Sequence, residues 1–265
     1  MNAGRYGKDF QHIRTESMLS PKTKEGKTMI ANKKVPNIRF LIVIALIGTG
    51  LLAFATSQAG AEEALKQQLL VDASRIAIEN CVADPNMQWF LYHLQNAKGL
   101  LIVPRLYKGG FFLGGSGGRA VLLVRDEKTG EWIGPAFYTV GSVTFGLQIG
   151  GQVAEVAMMV MTQKGLENLY STTFKFGGDV SVAAGPYGAG AAGAVSSFNA
   201  DFLSFTRAKG AFIGLSLEGA VVNTNYEWNK TYYGKPVKPM DIFVGRSVSN
   251  PESAELRSAI ARLAK

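Results

Sequence analysis

Between Lys98 and Gly219 the chain holds 23 of its 31 glycines, set at short intervals between β-branched and aromatic runs. Gly109-Gly110-Phe111-Phe112-Leu113, Phe145-Gly146-Leu147-Gln148-Ile149-Gly150-Gly151 and Phe212-Ile213-Gly214-Leu215-Ser216-Leu217-Glu218-Gly219 are the clearest. Apolar runs of this length bounded by glycine read as strands, and a glycine inside a strand marks a bulge, a bend or a close approach of two backbones. Composition therefore points to a glycine-rich, strand-dominated domain.

Helical periodicity flanks it. Glu62 to Asn80 reads as a helix, with Leu65, Leu69, Ala73 and Ile76 at helical spacing, acidic residues in the first turn and no internal glycine or proline. Asp84-Pro85 ends it, and Met87 to Gln95 reads as a second short helix. Strands are expected near 100–103, 110–114, 119–125, 132–140, 143–149 and 153–161, then a short helix from Gln163 to Tyr170, then strands near 174–184, 195–206 and 211–222. Asp126 to Gly130 is a hairpin turn, with Gly130 free to take positive φ. Tyr226 to Tyr233 reads as a helical turn. Pro251 to Lys265 closes the chain as an amphipathic helix capped by Asn250, with Leu256, Ile260 and Leu263 on one face. The expected fold is α+β: a large antiparallel, glycine-rich sheet or barrel-like sheet flanked by N-terminal and C-terminal helices.

The N-terminal segment bounds the compartment. Residues 1–28 are polar and read as a disordered extension or a misassigned start, since Met29 would open a leader of ordinary length. Residues 29–61 read as a secretory signal peptide: Lys33, Lys34 and Arg39, an apolar core from Phe40 to Ala55, and the small residues Ala59-Gly60-Ala61. An uncleaved N-terminal anchor is the alternative, although the core falls short of the ~20 residues that span a bilayer. The expected location is export to the periplasm or cell envelope, with residues 62–265 as one domain. The leader also carries most of the charge. The chain is +8 overall, but residues 62–265 hold nineteen basic and seventeen acidic residues. A near-neutral domain lacks the basic footprint of a nucleic-acid binder. Cys81 is the only cysteine, so no intramolecular disulfide forms.

Several patterns look like chemistry and are better explained otherwise. Gly114-Gly115-Ser116-Gly117-Gly118 matches a nucleophile elbow, yet Ala120 to Val124 continues as strand and the one histidine after the leader, His93, precedes Ser116. Gly188-Ala189-Gly190-Ala191-Ala192-Gly193 matches a dinucleotide loop, but a strand follows and no acid stands where the ribose partner belongs. One histidine and one cysteine do not make a usual zinc site. Cys81 at a helix end beside Val82 reads as a packed thiol rather than the nucleophile of a pair with His93. Asp179, Asp201 and Glu218 are scattered singly and read as structural acids. No enzyme and no cofactor are expected.

Five blocks in order carry a family signature: Ala97-Lys98-Gly99-Leu100, Lys108-Gly109-Gly110-Phe111, Phe145-Gly146-Leu147-Gln148-Ile149-Gly150, Ser181-Val182-Ala183-Ala184-Gly185-Pro186, and Lys209-Gly210-Ala211-Phe212-Ile213-Gly214-Leu215-Ser216-Leu217-Glu218-Gly219. Over roughly residues 63 to 246 the chain resembles the SYLF family, and the last block is the most specific. The resemblance implies binding of acidic lipids such as phosphoinositides, and in fungal members contact with actin. For an exported chain the expected ligand becomes an acidic phospholipid of the envelope. Lys98, Lys108 and Lys209 fall where the family motifs also show a basic residue; Arg105 and Arg119 do not. Head groups need positive charge and backbone donors, and the interface needs exposed apolar groups. The candidate lipid-binding residues are therefore Lys98, Lys108 and Lys209, with Arg105, Arg119, Phe111 and Phe112 beside them. The expected function is non-catalytic lipid binding at an envelope membrane surface. Structural or protein-interaction modules and an outer-membrane barrel are the competitors, the barrel disfavoured by the polar-faced C-terminal helix.

Overall fold

Leu100 to Val103 is an unbroken apolar run, and all four side chains are buried in the strand that holds them. Successive strand residues point to opposite faces, so such a run needs cover on both. A computed structural model, describing residues 62–85, 88–110, 113–145, 150–185, 199–208 and 217–264, shows that cover. Its elements are α1 (residues 62–83), α2 (Gln88–Leu94), β1 (Gly99–Gly110), β2 (Leu113–Arg125), β3 (Trp132–Phe145), β4 (Gly150–Val160), α3 (Gln163–Tyr170), β5 (Thr173–Lys175), β6 (Val182–Ala184), β7 (Phe202–Ala208), β8 (Val221–Thr224), α4 (Tyr226–Tyr233), α5 (Pro239–Phe243) and α6 (Ala254–Leu263). The strands form one curled, half-barrel sheet in the order β5-β8-β3-β2-β1-β4-β7-β6. Among the described residues every strand pairing is antiparallel except β6 with β7, so the sheet is mixed.

Alternate residues of the central strands feed two cores. Leu101, Val103, Leu122, Tyr138 and Met158 face α3, α5 and the β5–β6 segment, where Phe174, Phe176 and Phe202 pack with ring centroids 5.0 to 5.9 Å apart. Leu100, Ile102, Val121, Leu123, Phe137 and Met159 face α1, α2, α4 and α6. Tyr138 buries its hydroxyl by donating to the Leu169 carbonyl at 2.6 Å, and burial holds that phenol well above its ordinary pKa. Among the described residues no helix is long and apolar enough to cross a membrane.

Several expectations are refined. The separate strands expected at 132–140 and 143–149 are one strand as far as Phe145, and 174–184 is two short strands around a turn. The 195–206 strand is described only from Phe202, while 211–216 and the Gly188–Gly193 loop lie outside the described residues, as does the leader. Asn250 caps as expected, accepting from the Glu252 amide at 2.9 Å, but a 3-10 turn at Pro251–Ser253 precedes α6. The turn at Asp126 is held by that carboxylate accepting from the amides of Lys128 and Thr129, with Gly130 at φ 74°.

The largest correction concerns α1. Its expected apolar stripe lies outward: Leu65, Leu69 and Ile76 are 56, 57 and 49 % exposed. Gln67, Val71, Ser74, Ile78 and Cys81 face the core instead. Polar tethers set this rotation. Asn80 donates to Glu155 on β4 at 2.9 Å, and Gln68 donates to the Glu252 carbonyl at 3.2 Å. Both stripes have helical period, so periodicity does not choose between them.

Candidate functional site

Pro104 has no amide hydrogen to give a neighbouring strand, and β1 bulges there. Between Val103 and Leu106 the chain advances three residues while β4 advances two, and the pairing with β2 slips by the same one residue. A bulge admits one unpaired residue and re-aims its neighbours. Here Leu106 stays in the α3–α5 core, while Arg105 and Tyr107 line the surface that carries α1. The bulged backbone crowds β2: a Cβ on Gly118 would stand 2.6 Å from the Arg105 carbonyl oxygen and 2.7 Å from Val103 Cγ1. Only glycine fits opposite the bulge.

Beyond it the sheet changes character. Gly109, Gly110, Gly114, Gly115, Gly117, Gly141 and Gly151 recur through its four strands, and Ser116 and Ser142 join across β2 and β3 at 2.7 Å. Tyr107, Val143 and Val153 are exposed apolar residues of this half. Tyr107 pairs with Val153 and with Gly117, which pairs with Gly141, so register puts all three side chains on the α1 side.

The edge of β3 is finished by α4. Where β8 stops at Thr224, the Asn225 amide donates to the Phe137 carbonyl and the Phe137 amide donates to Asn229 Oδ1, each at 2.8 Å. Asn225 also caps α4, accepting from the Trp228 amide at 3.1 Å. These bonds fix Trp228, whose ring lies 3.9 Å beneath the Arg119 guanidinium. The result is a groove of about 560 Å³ walled by α1, the bulge of β1, β2, β3 and α4, with Lys66, Arg105 and Arg119 as its charged residues and no carboxylate in its lining. Lys66 is answered by Glu62 at 3.3 Å and Glu63 at 2.6 Å. Neither arginine has an acidic partner among the described residues. Arg105 and Tyr107 also border a second cleft of about 710 Å³, where Glu155 is taken up by Arg207 at 2.9 Å.

The candidate residues are thus divided. Arg105 and Arg119 come together. Lys98 lies just before β1, ion-paired with Glu127 at the sheet's packed end. Lys108 is ten residues further along, roughly 30 Å at ~3.3 Å per residue. Lys108 pairs with Ser116 and Gln152 and faces away from α1, on the other side from Tyr107. Those two lysines do not converge. Phe111, Phe112 and Lys209 lie outside the described residues. Sequence reasoning missed Trp228 and the exposed Leu69, whose places depend on non-local contacts; an aromatic inside a capped helix was the only available sign.

No catalytic constellation gathers among the described residues. Ser116 lies within β2, not on a turn. Burial pushes the Cys81 thiol up to about 12, so it carries no thiolate near neutrality, and burial lowers His93. Burial raises the Asp201 carboxyl, but bonds from Thr162 and from the amide and hydroxyl of Ser181, with Lys164 nearby, outweigh it and hold the group below its ordinary value. Asp179 accepts from the Lys175 amide in a turn, and Glu218 is exposed beside Gly177. No three His, Cys, Asp or Glu side chains among the described residues are placed to hold a metal.

Residues 141–263 match the family Ysc84, described as Las17-binding protein actin regulator. The chain is 32 % identical over 157 residues, 58 % of its length and 34 % of the relative's, to LAS seventeen-binding protein 3 of Saccharomyces cerevisiae. It is 30 % identical over 168 residues, 62 % of its length and 35 % of the relative's, to Protein YSC84 of the same yeast. It is 28 % identical over 164 residues, 61 % and 47 %, to SH3 domain-containing YSC84-like protein 1 of Bos taurus. The chain spans about a third to a half of the length of these relatives, and none of their names is enzymatic.

Proposed function

We propose that this chain, whose residues 141–263 match the Ysc84 family, is a non-catalytic lipid-binding protein that associates with acidic phospholipid at a cell-envelope membrane surface. One observation carries the reading. Arg105 and Arg119, without acidic partners among the described residues, share a face of the sheet with the exposed Tyr107, Val143 and Val153, and the exposed Leu69 of α1 lines the same groove as the two arginines. Cations draw a surface to anionic head groups, and exposed aliphatic and aromatic groups enter the boundary below them. The envelope part of the reading is supported by the composition of residues 29–61.

Co-sedimentation of the full chain with vesicles tests it. Binding is expected to vesicles containing acidic phospholipid and not to neutral ones, and to fade in high salt. The double change Arg105→Gln and Arg119→Gln removes about 1 kcal/mol per charge, or roughly thirtyfold in affinity. Lys98→Gln, which breaks a pair with Glu127, changes it little. Equal binding of neutral and acidic vesicles by the unaltered chain overturns the reading.

A second reading, protein docking through the same face, is favoured by the names of the relatives, which are Las17-binding and SH3-containing proteins. A docking module would leave vesicles of either composition unbound at every salt concentration.

A further inference from the structure

The groove differs from a flat adhesive face in being walled on several sides and one-signed. Of its three cations, Lys66 is compensated within α1, which leaves the two guanidinium groups as the uncompensated charge. Trp228 occupies one face of the Arg119 guanidinium, so what this group offers a ligand is its N–H edge, the geometry that grips carboxylate or phosphate with two parallel bonds. The same stacking takes up a face of the indole that a nucleobase would use. The remaining wall is aliphatic, from Leu69, Leu70 and Ala73 of α1, and Leu69 is 57 % exposed. A free phosphate would leave that wall unused. The volume, about 560 Å³, lies within the ~300–1,000 Å³ of small-molecule sites.

We infer that the groove between α1, the β1 bulge and α4 is a binding site for one molecule of a single-chain anionic amphiphile, its carboxylate or phosphate held between Arg105 and Arg119 and its acyl chain laid along Leu69, Leu70 and Ala73. This deepens the lipid reading by giving it a discrete, saturable site, and it stands or falls separately from vesicle adhesion. The bulge at Pro104 brings the first cation to the groove, and the Asn225 and Asn229 bonds bring the second through Trp228.

Calorimetric titration of the full chain with monomeric probes decides it. Dodecanoate and dodecyl phosphate, below their micellar concentrations, are expected to bind at one per chain, and their relative affinity distinguishes a fatty-acid from a phospholipid-derived ligand. Each methylene added within the groove strengthens binding roughly fourfold. Inorganic phosphate and monolauroyl glycerol bind at least ten times more weakly. Arg105→Gln with Arg119→Gln costs at least tenfold, and Ala73→Trp blocks the groove with an unchanged circular-dichroism spectrum. If Ala73→Trp does not fold, Leu69→Glu at an exposed position replaces it and is expected to repel the probe. Equal affinity for the neutral and anionic probes, or groove variants that bind like the unaltered chain, overturns the inference. Vesicle binding without probe binding overturns this inference alone and leaves the surface reading; probe binding without vesicle binding does the reverse.

Discussion

The two halves of the sheet follow opposite rules although the same four central strands run through both. On the Gly99 side of the Pro104 bulge, β1 to β4 present Leu, Ile, Val, Met and Phe to both faces, and helices cover each. On the Gly110 side the strands are rich in glycine and serine, and Tyr107, Val143 and Val153 are exposed apolar residues there. The bulge is the boundary, and Gly118 is the contact across which one half changes into the other. Stability belongs to the packed half, and the surface open to a ligand begins where packing stops. The groove sits on this border because a cation there has a rigid backbone behind it and open surface in front.

The packed half breaks hardest. Phe202→Ala removes a ring that packs on both Phe174 and Phe176, and is expected to cost about 3–5 kcal/mol in urea unfolding. A loss below 1 kcal/mol would mean that this cluster does not anchor the sheet. At the border, Gly118→Ala drives a Cβ into backbone and is expected to cost roughly 1–3 kcal/mol, because a carbonyl on a bulged strand has little room to retreat. Its neighbour is the control: a Cβ on Gly117 meets only the Val140 carbonyl, at 3.9 Å, so Gly117→Ala should be close to neutral. Equal effects at the two positions would remove the bulge as the reason for Gly118. The smallest change has the opposite sign. Both polar side-chain atoms of Gln67 are buried without a hydrogen-bond partner among the described residues, so Gln67→Leu should stabilise by about 1 kcal/mol, read as a raised unfolding midpoint. A destabilised variant would show that the amide is satisfied and that α1 is more firmly seated than its inward face suggests.

Local chemistry made much of this legible. The Asp126–Gly130 turn, α3, α4 and the Asn250 cap lie close to where turn residues, caps and period place them, because each is decided by bonds between near neighbours. α5 was missed, although Pro239 at its start is an ordinary opening signal. The candidate site was legible only in part. Lys98 and Lys108 stood out in the motifs, but an acid from a distant hairpin neutralises one and strand parity turns the other away from α1. Arg105 and Arg119, weaker by motif, are the pair that meets.

The sequence by itself determined an α+β chain with a glycine-rich sheet between helices, since composition and period act on neighbouring residues whatever the rest of the molecule does. Only the tertiary structure decided which stripe of α1 faces inward, where β1 gains its extra residue, and which cations share a groove. Those outcomes depend on contacts between residues far apart in the chain: Asn80 with Glu155, Gly118 with the Arg105 backbone, Arg119 with Trp228. No local pattern encodes them, because a helix that can turn either of two faces inward, or a strand with a proline, satisfies its own bonds equally well in either arrangement until its neighbours are in place.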